Sequence, residues 1–339
     1  MAKTIYDIAE AAGVSIATVS RSFSNSKGVT EKTREKVLKI AEELGYHPQG
    51  FAQSLARNKR NALTVIVPVI SNYFFMEVLA GIQDQLKNLD FELNIVNVKA
   101  GDDLLNQIKF HLKRRWSEGY IFISIHFNDN EWKSLEKFET PSVIVDDYYH
   151  KFDSVSIDNE KGAYMATKYL IEKGYRDIAM LSAAPHSKPI ILRKNGYQKA
   201  LKEAGIKFNE KNIVQSSIRE RDGFTEAAGY EAMMKIVEMK PLPEACFSAS
   251  DIQSVGAMKA MRDTGIRIPL ISYDNLTISE YLDISTVAQP MYKMGRDAVR
   301  KLVERLENKE KPVSHTIYSP DLIIRKSSEI NFKNRKQTV

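Results

Sequence analysis

The stretch TIYDIAEAAGVSIATVSRSFSNSKGVTEKTREKVLKIAEELGYHPQGFAQSLAR, residues 4–57, decides how the rest of the chain is read. Thr4 is placed to cap a helix, and Asp7, three residues on, to reach back to it, the pattern of a capping box. Apolar Ile5, Ile8, Ala9 and Ala12 share one helix face, and Gly13 ends that helix where a left-handed residue is needed. Ser15 starts a second helix in which Val19 faces inward and Thr18, Ser20 and Arg21 face outward. Thr30 caps a third, with Val37, Ile40, Ala41 and Leu44 as its inner stripe and Gly45 as its stop. Two short helices joined by a tight glycine turn make a helix-turn-helix, whose second helix suits the major groove of DNA.

Charge agrees with that use. Residues 1–60 hold ten lysines and arginines against six acids, so +4 of the net charge of +6 sits in this short segment. A concentrated positive head is the footprint of a module that binds phosphates. The full length of 339 residues predicts roughly two or three domains. No apolar run approaches the roughly 18 residues of a membrane span, and the start lacks a signal-peptide pattern. The single cysteine, Cys246, excludes an internal disulfide framework, fits a reducing cytoplasm and reads as a small buried apolar residue.

Residues 47–60, HPQGFAQSLARNKR, offer a short helix after Pro48 with Phe51, Ala52 and Leu55 on one face, marginal by itself in water. The pattern then changes. LTVIVPVI (63–70), ELNIVNV (92–98), GYIFISI (119–125) and SVIVDD (142–147) read as strands, separated by helical stretches over 76–89, up to Trp116 and over 132–138. Strands that are apolar throughout and alternate with helices predict a parallel sheet covered on both faces. The rhythm restarts with VSID (155–158) and helices expected over 160–173, 193–204 and 223–239, running on to PLISYDN. A strand, a crossing and a long helix over 285–306 follow. Two such series predict two lobes with a ligand cleft between them.

The pieces YDIAEAAGVSIATVSR and LGYHPQGFAQSL closely resemble the DNA-binding head and hinge of the lactose-repressor (LacI/GalR) family. The resemblance covers almost the whole chain. It implies a helix-turn-helix head (1–46), a hinge helix and linker (47–60), and a two-lobed effector and dimerisation domain (61–330) like periplasmic sugar-binding proteins. Its first lobe is expected at about 61–159 and 290–319, and its second at about 160–289 and 320–330, with 331–339 a solvated tail. The DNA-contacting set so implied is Thr4, Tyr6, Ser15, Ile16, Ala17, Thr18, Ser20, Arg21 and Asn25, with Ala52 and Leu55 in the hinge. Ile16 and Ala17 can meet only apolar features such as a thymine methyl, which leaves Arg21 to read a guanine edge. In the family the hinge folds when two copies meet on DNA, and a leucine, here Leu55, wedges into the minor groove. There are departures: Gln49-Gly50 follow the proline where the family has Asn, Ser24 stands where it closes the second helix with Asn, and GIRIPLISYDN lacks a usual Asp-apolar pair.

In the cleft, the useful positions lie at strand ends. They are Ser71, Tyr73 and Phe74 after the first strand, Asp146 after the fourth, Ser250, Asp251 and Asp274 in the second lobe, and Gln289 on a crossing. Arg193 matches the family arginine that clamps the ligand. Carboxylates and an arginine among aromatics suit a polyol. The six histidines lack metal-ligand spacing, Asp146 and Asp147 as strand neighbours point apart, and no Walker loop, GxSxG or dinucleotide turn is present. The expected protein is therefore an allosteric repressor, not an enzyme. It needs no cofactor or metal, and its partners are near-palindromic operator DNA, a second copy of itself and a small cytoplasmic effector. A sugar is the first reading of that effector, with a purine base or a phosphorylated carrier protein as family alternatives. A sugar-modifying enzyme carrying a DNA-binding head is the rival reading.

Overall fold

Helices α1 (Ile5–Ala12), α2 (Ile16–Ser24) and α3 (Glu31–Glu43) close around Ile8, Ala12, Val19, Val37 and Ala41. The structure, a computed structural model, describes residues 3–24, 28–46, 61–68, 73–99, 101, 103–185, 187–218 and 220–329. The caps are those the sequence predicts. The Thr4 amide donates to Asp7 Oδ2 at 2.7 Å and its hydroxyl donates to the same oxygen at 2.8 Å. Gly13 sits at φ 65°, and the Thr30 hydroxyl accepts from the Thr33 amide at 3.3 Å.

From residue 62 strand and helix alternate. The first run is β1 (Ala62–Val67), α4 (Tyr73–Leu86), β2 (Glu92–Asn97), α5 (Leu104–Arg114), β3 (Gly119–Ile123), α6 (Asp129–Glu136), β4 (Ser142–Val145) and β5 (Asp153–Ile157). The second is α7 (Asn159–Glu172), β6 (Ile178–Ser182), α8 (Lys188–Glu203), β7 (Ile213–Gln215), α9 (Glu226–Val237), β8 (Ala245–Ser248), α10 (Asp251–Thr264) and β9 (Leu270–Asp274). Then come α11 (Thr277–Tyr281), β10 (Ser285–Ala288), α12 (Met291–Glu307), β11 (His315–Tyr318) and β12 (Asp321–Ile323).

The strands form two six-stranded sheets, ordered β11-β5-β4-β3-β1-β2 and β12-β10-β9-β8-β6-β7. Every pairing in the first is parallel. The second carries one antiparallel edge, β12 against β10. Each sheet is covered on both faces. In the first lobe Val78, Ile82, Met294 and Val299 pack on one side and Trp132 with Tyr120 and Phe122 on the other. In the second, Tyr197, Phe247 and Tyr273 lie opposite Leu181, Met233 and Ile236. Cys246 is buried in β8, and burial pushes its thiol up to about 12, so it stays a protonated core residue.

β5 pairs with β4 (Val143 beside Asp153), so the first crossing between the lobes follows it. Two local expectations shift. Helix α4 begins at Tyr73 rather than Met76, because Phe75 already turns into the core. Helix α8 begins at Lys188 rather than Arg193: Pro189 lies in its first turn, where a missing N–H costs nothing.

Paired helices touch through glycine. A Cβ on Gly229 would overlap the Gln253 carbonyl across the α9–α10 seam, and one on Gly256 would overlap that of Glu226. Gly81 and Gly295 do the same between α4 and α12, against Tyr292 and Val78.

Candidate functional site

Two surfaces gather the polar groups singled out in the sequence. On α2, Ile16 is 41% exposed, Ala17 and Arg21 are exposed, and Tyr6 projects from α1 at 68% exposure. Ser15 and Thr18 are bonded to each other at the start of α2. The Ser15 hydroxyl caps the Thr18 amide at 3.2 Å and bonds the Thr18 hydroxyl at 2.9 Å. Thr4 is likewise engaged with Asp7, and Ser20 is half-buried. Asn25, Ala52 and Leu55 lie outside the described residues.

The second surface is a cavity of about 370 Å3 between the two sheets. The first lobe supplies Tyr73, Phe74, Lys99, Ser124, His126 and Asp146; the second supplies Ser187, Arg193, Arg221, Asp222, Phe224, Ser250 and Asp274, with Gln289 at the crossing. Most follow the carboxyl ends of parallel strands, where such sheets leave an open crevice. Several non-glycine residues there take left-handed backbone, Ser124 at φ 48°, Asp146 at 69° and Asp274 at 120°. Such conformations cost about 1–3 kcal/mol each and gather at ligand sites.

Arg193 organises the second-lobe wall. Its Nε donates to Asn159 Oδ1 at 2.8 Å and a terminal nitrogen donates to the Ala249 carbonyl. The guanidinium lies 3.7 Å from the Tyr273 ring centroid and 3.8 Å from Asp274 Oδ1. Gln289 Nε2 donates to that same Oδ1 at 2.6 Å, which leaves Gln289 Oε1 buried with no partner. Burial pushes the Asp274 carboxyl up to about 7 against the opposing pull of Arg193. In the first lobe the Ser124 hydroxyl donates to Asp146 Oδ2 at 2.8 Å, and burial raises that carboxyl too. The neighbouring Asp147 takes other partners: His126 Nδ1 at 3.2 Å, the Tyr148 amide at 2.6 Å, and an ion pair with Lys188 reaching over from α8 of the second lobe.

The structure thus gathers Tyr73, Phe74, Asp146, Arg193, Ser250, Asp274 and Gln289 around one space. Asp251 is the exception. It is wholly buried away from the cavity, where its carboxylate accepts from the Leu276 amide and the Thr286 hydroxyl, each at 2.7 Å. Ser71 lies outside the described residues. Lys99, Ser124 and His126 were missed, although each follows a strand end as Asp146 does. Arg221, Asp222 and Phe224 sit in the segment between β7 and α9, too far beyond the strand for that rule to find.

Comparison with known proteins matches two regions of the chain. Residues 4–49 match the family described as bacterial regulatory proteins, lacI family, and residues 167–328 match a periplasmic binding protein-like domain. The HTH-type transcriptional regulator RegA of Clostridium saccharobutylicum is 33% identical over 337 residues, spanning 97% of this chain and 100% of that protein. A solved complex of the transcriptional regulator CelR with cellobiose is 26% identical, with a TM-score of 0.70 over 96% of this chain and 99% of that one. The lac repressor dimer bound to operator and the anti-inducer ONPF shares the fold, with a TM-score of 0.77 at 23% identity over 97% and 99% of the two chains.

Proposed function

The chain belongs to the lacI family of bacterial regulatory proteins and is a DNA-binding transcriptional regulator, not an enzyme; from that premise we propose a cytoplasmic repressor governed by a hydroxylated small molecule, a sugar first of all. In this reading residues 1–46 bind DNA, 47–60 form the hinge, and 61–330 hold the effector, with lobes at about 61–159 and 290–319 and at about 160–289 and 320–330. The observation that carries the effector is Gln289 Oε1, buried and unpartnered beside the Arg193–Asp274 pair. A buried acceptor without a donor costs about 1–3 kcal/mol, which a ligand hydroxyl recovers. Tyr73, Phe74 and Phe224 add flat apolar faces for a sugar ring. The cellobiose held by the similar CelR supports the same class.

The ligand acts by population shift, binding one lobe arrangement better than the other and so changing the DNA-competent fraction. A homodimer on a near-palindromic operator fits a head too small for specific binding alone. It is supported by the exposed apolar Ile278, Tyr281 and Leu282 around α11, and by the dimeric lac repressor. In each head Arg21 reads a guanine edge while Ile16 and Ala17 meet apolar features.

Thermal-shift and calorimetric screening of sugars and purine bases, read alongside operator anisotropy, tests the effector. A sugar should both bind and change operator affinity; a purine base doing so instead overturns the sugar reading. Arg21→Ala should lose about 1–3 kcal/mol of discrimination at one base pair per half-site. Equal weakening on operator and random DNA would reassign Arg21 to a phosphate.

A further inference from the structure

The fixed charge of the cleft exceeds what a neutral polyol requires. Lys99, just past β2, and Arg221, in the segment before α9, line the same cavity from opposite lobes. The Lys99 ammonium has no acid partner among the described residues. Arg221 is presented by a rigid run: Arg221, Asp222 and Gly223 all take positive φ (49°, 55° and 85°). The Ala184 amide donates to the Asp222 carbonyl at 2.8 Å and Gln253 Nε2 donates to that of Gly223 at 3.1 Å, which pins the run in place. Its only acid within ion-pair range among the described residues is the adjacent Glu220, 3.6 Å from Nε with a side chain 70% exposed, a hydrated pair of little strength.

Arg193 makes a third cation in the lining. Against these stand the exposed Asp222 and two carboxyls, Asp146 and Asp274, that burial drives toward their neutral forms. Lys99 and Arg221 are therefore the two cations of the lining that no buried carboxylate among the described residues pairs.

We propose that the effector carries an anionic oxygen group, a phosphate ester or a carboxylate, on its hydroxylated frame, and that Lys99 and Arg221 hold this group from the two lobes. The assignment rests on the cleft being the effector site. A guanidinium offers two parallel donors to an oxyanion, and the ammonium adds a point charge. Because the two cations belong to different lobes, they converge on one group only in the arrangement that brings the lobes together. The anion then supplies the difference in affinity between states that a population shift needs.

Calorimetry on the full-length protein tests this with glucose, glucose 6-phosphate and glucuronate, and with the three corresponding forms of galactose. In at least one series the charged member should bind at least tenfold more tightly than its neutral parent. The phosphate and carboxylate arms show which group is read. Lys99→Met and Arg221→Met should each lower that charged-to-neutral ratio at least threefold, and Lys99→Arg should retain it. A neutral parent that binds as tightly as its charged forms overturns the anion while leaving the polyol reading in place. Failure of all six compounds to bind overturns both. An unchanged ratio in the two methionine variants refutes the role of these side chains.

Discussion

The two walls of the cleft are built differently. On the second-lobe side Arg193, Asp274 and Gln289 are each less than a tenth exposed and are bonded to one another or to the backbone behind them. On the first-lobe side Asp146 is held by Ser124, but Tyr73 is 45% exposed, Lys99 is exposed, and neither side chain makes a hydrogen bond among the described residues. The first kind of wall has already met its ordering cost before a ligand arrives; the second leaves part of that cost to the binding event. With the cleft as the proposed effector site, the rigid wall would identify the ligand and the looser wall would respond to it. Rigid buried donors and acceptors discriminate hydroxyl patterns, whereas the looser aromatic and cationic side follows the ligand when the lobes move.

Arg193→Ala should strike hardest at this contrast. It leaves Asp274, Asn159 Oδ1 and the Ala249 carbonyl without their donor in a buried wall, and breaking such an arrangement costs about 3–5 kcal/mol. Urea unfolding should show that loss together with loss of ligand response; a fold of unchanged stability would mean the wall is not preorganised by this residue. Asp274→Asn comes next and separates wild type from variant by pH. Between the ordinary carboxyl value and about 7 the folded chain holds a proton that the unfolded chain has released. Asp274 therefore lowers stability as pH rises through that window, with a slope of at most about 1.4 kcal/mol per pH unit. The asparagine variant should lack this component in a series of thermal midpoints from pH 4.5 to 8; identical profiles would show that Asp274 titrates normally.

Tyr73→Ala tests the other wall. Ligand affinity should fall by about 1 kcal/mol while stability moves less than about 0.5 kcal/mol, as for an exposed side chain. A large loss of stability would mean the two walls are alike after all. Lys188→Met is the mildest change. Its ammonium is partly hydrated, so stability should change by no more than about 1 kcal/mol, but the ion pair to Asp147 spans the lobes. Small-angle scattering of the ligand-free protein should record a more open pair of lobes, and an unchanged radius of gyration would show that this contact does not restrain them.

What could be read from sequence follows the distance over which each feature is decided. The head was legible because its signals are local: Thr4 with Asp7 and Thr30 with Thr33 are three residues apart, and Gly13 acts on its own turn. The alternation of strand and helix was legible for the same reason. The strand order that sets β5 between β4 and β11 was not, since no local signal specifies it. Arg193 was found through the family resemblance, and Asp274 and Gln289 through their strand-end positions. Asp251 failed that rule because its direction is set by Thr286, 35 residues away in β10. Arg193 bonds Asn159 and the Ala249 carbonyl of its own lobe and also lines the cavity.

The glycine seams between α9 and α10 and between α4 and α12 have a consequence for how this chain can change over generations. What a new methyl group would strike is the main chain of the facing helix, at Gln253 and Glu226 in one seam and at Tyr292 and Val78 in the other. Trimming a side chain across the seam therefore cannot make room, so no second-site substitution at the facing residue rescues the first. These four positions therefore tolerate no side chain while the facing helices keep their present separation.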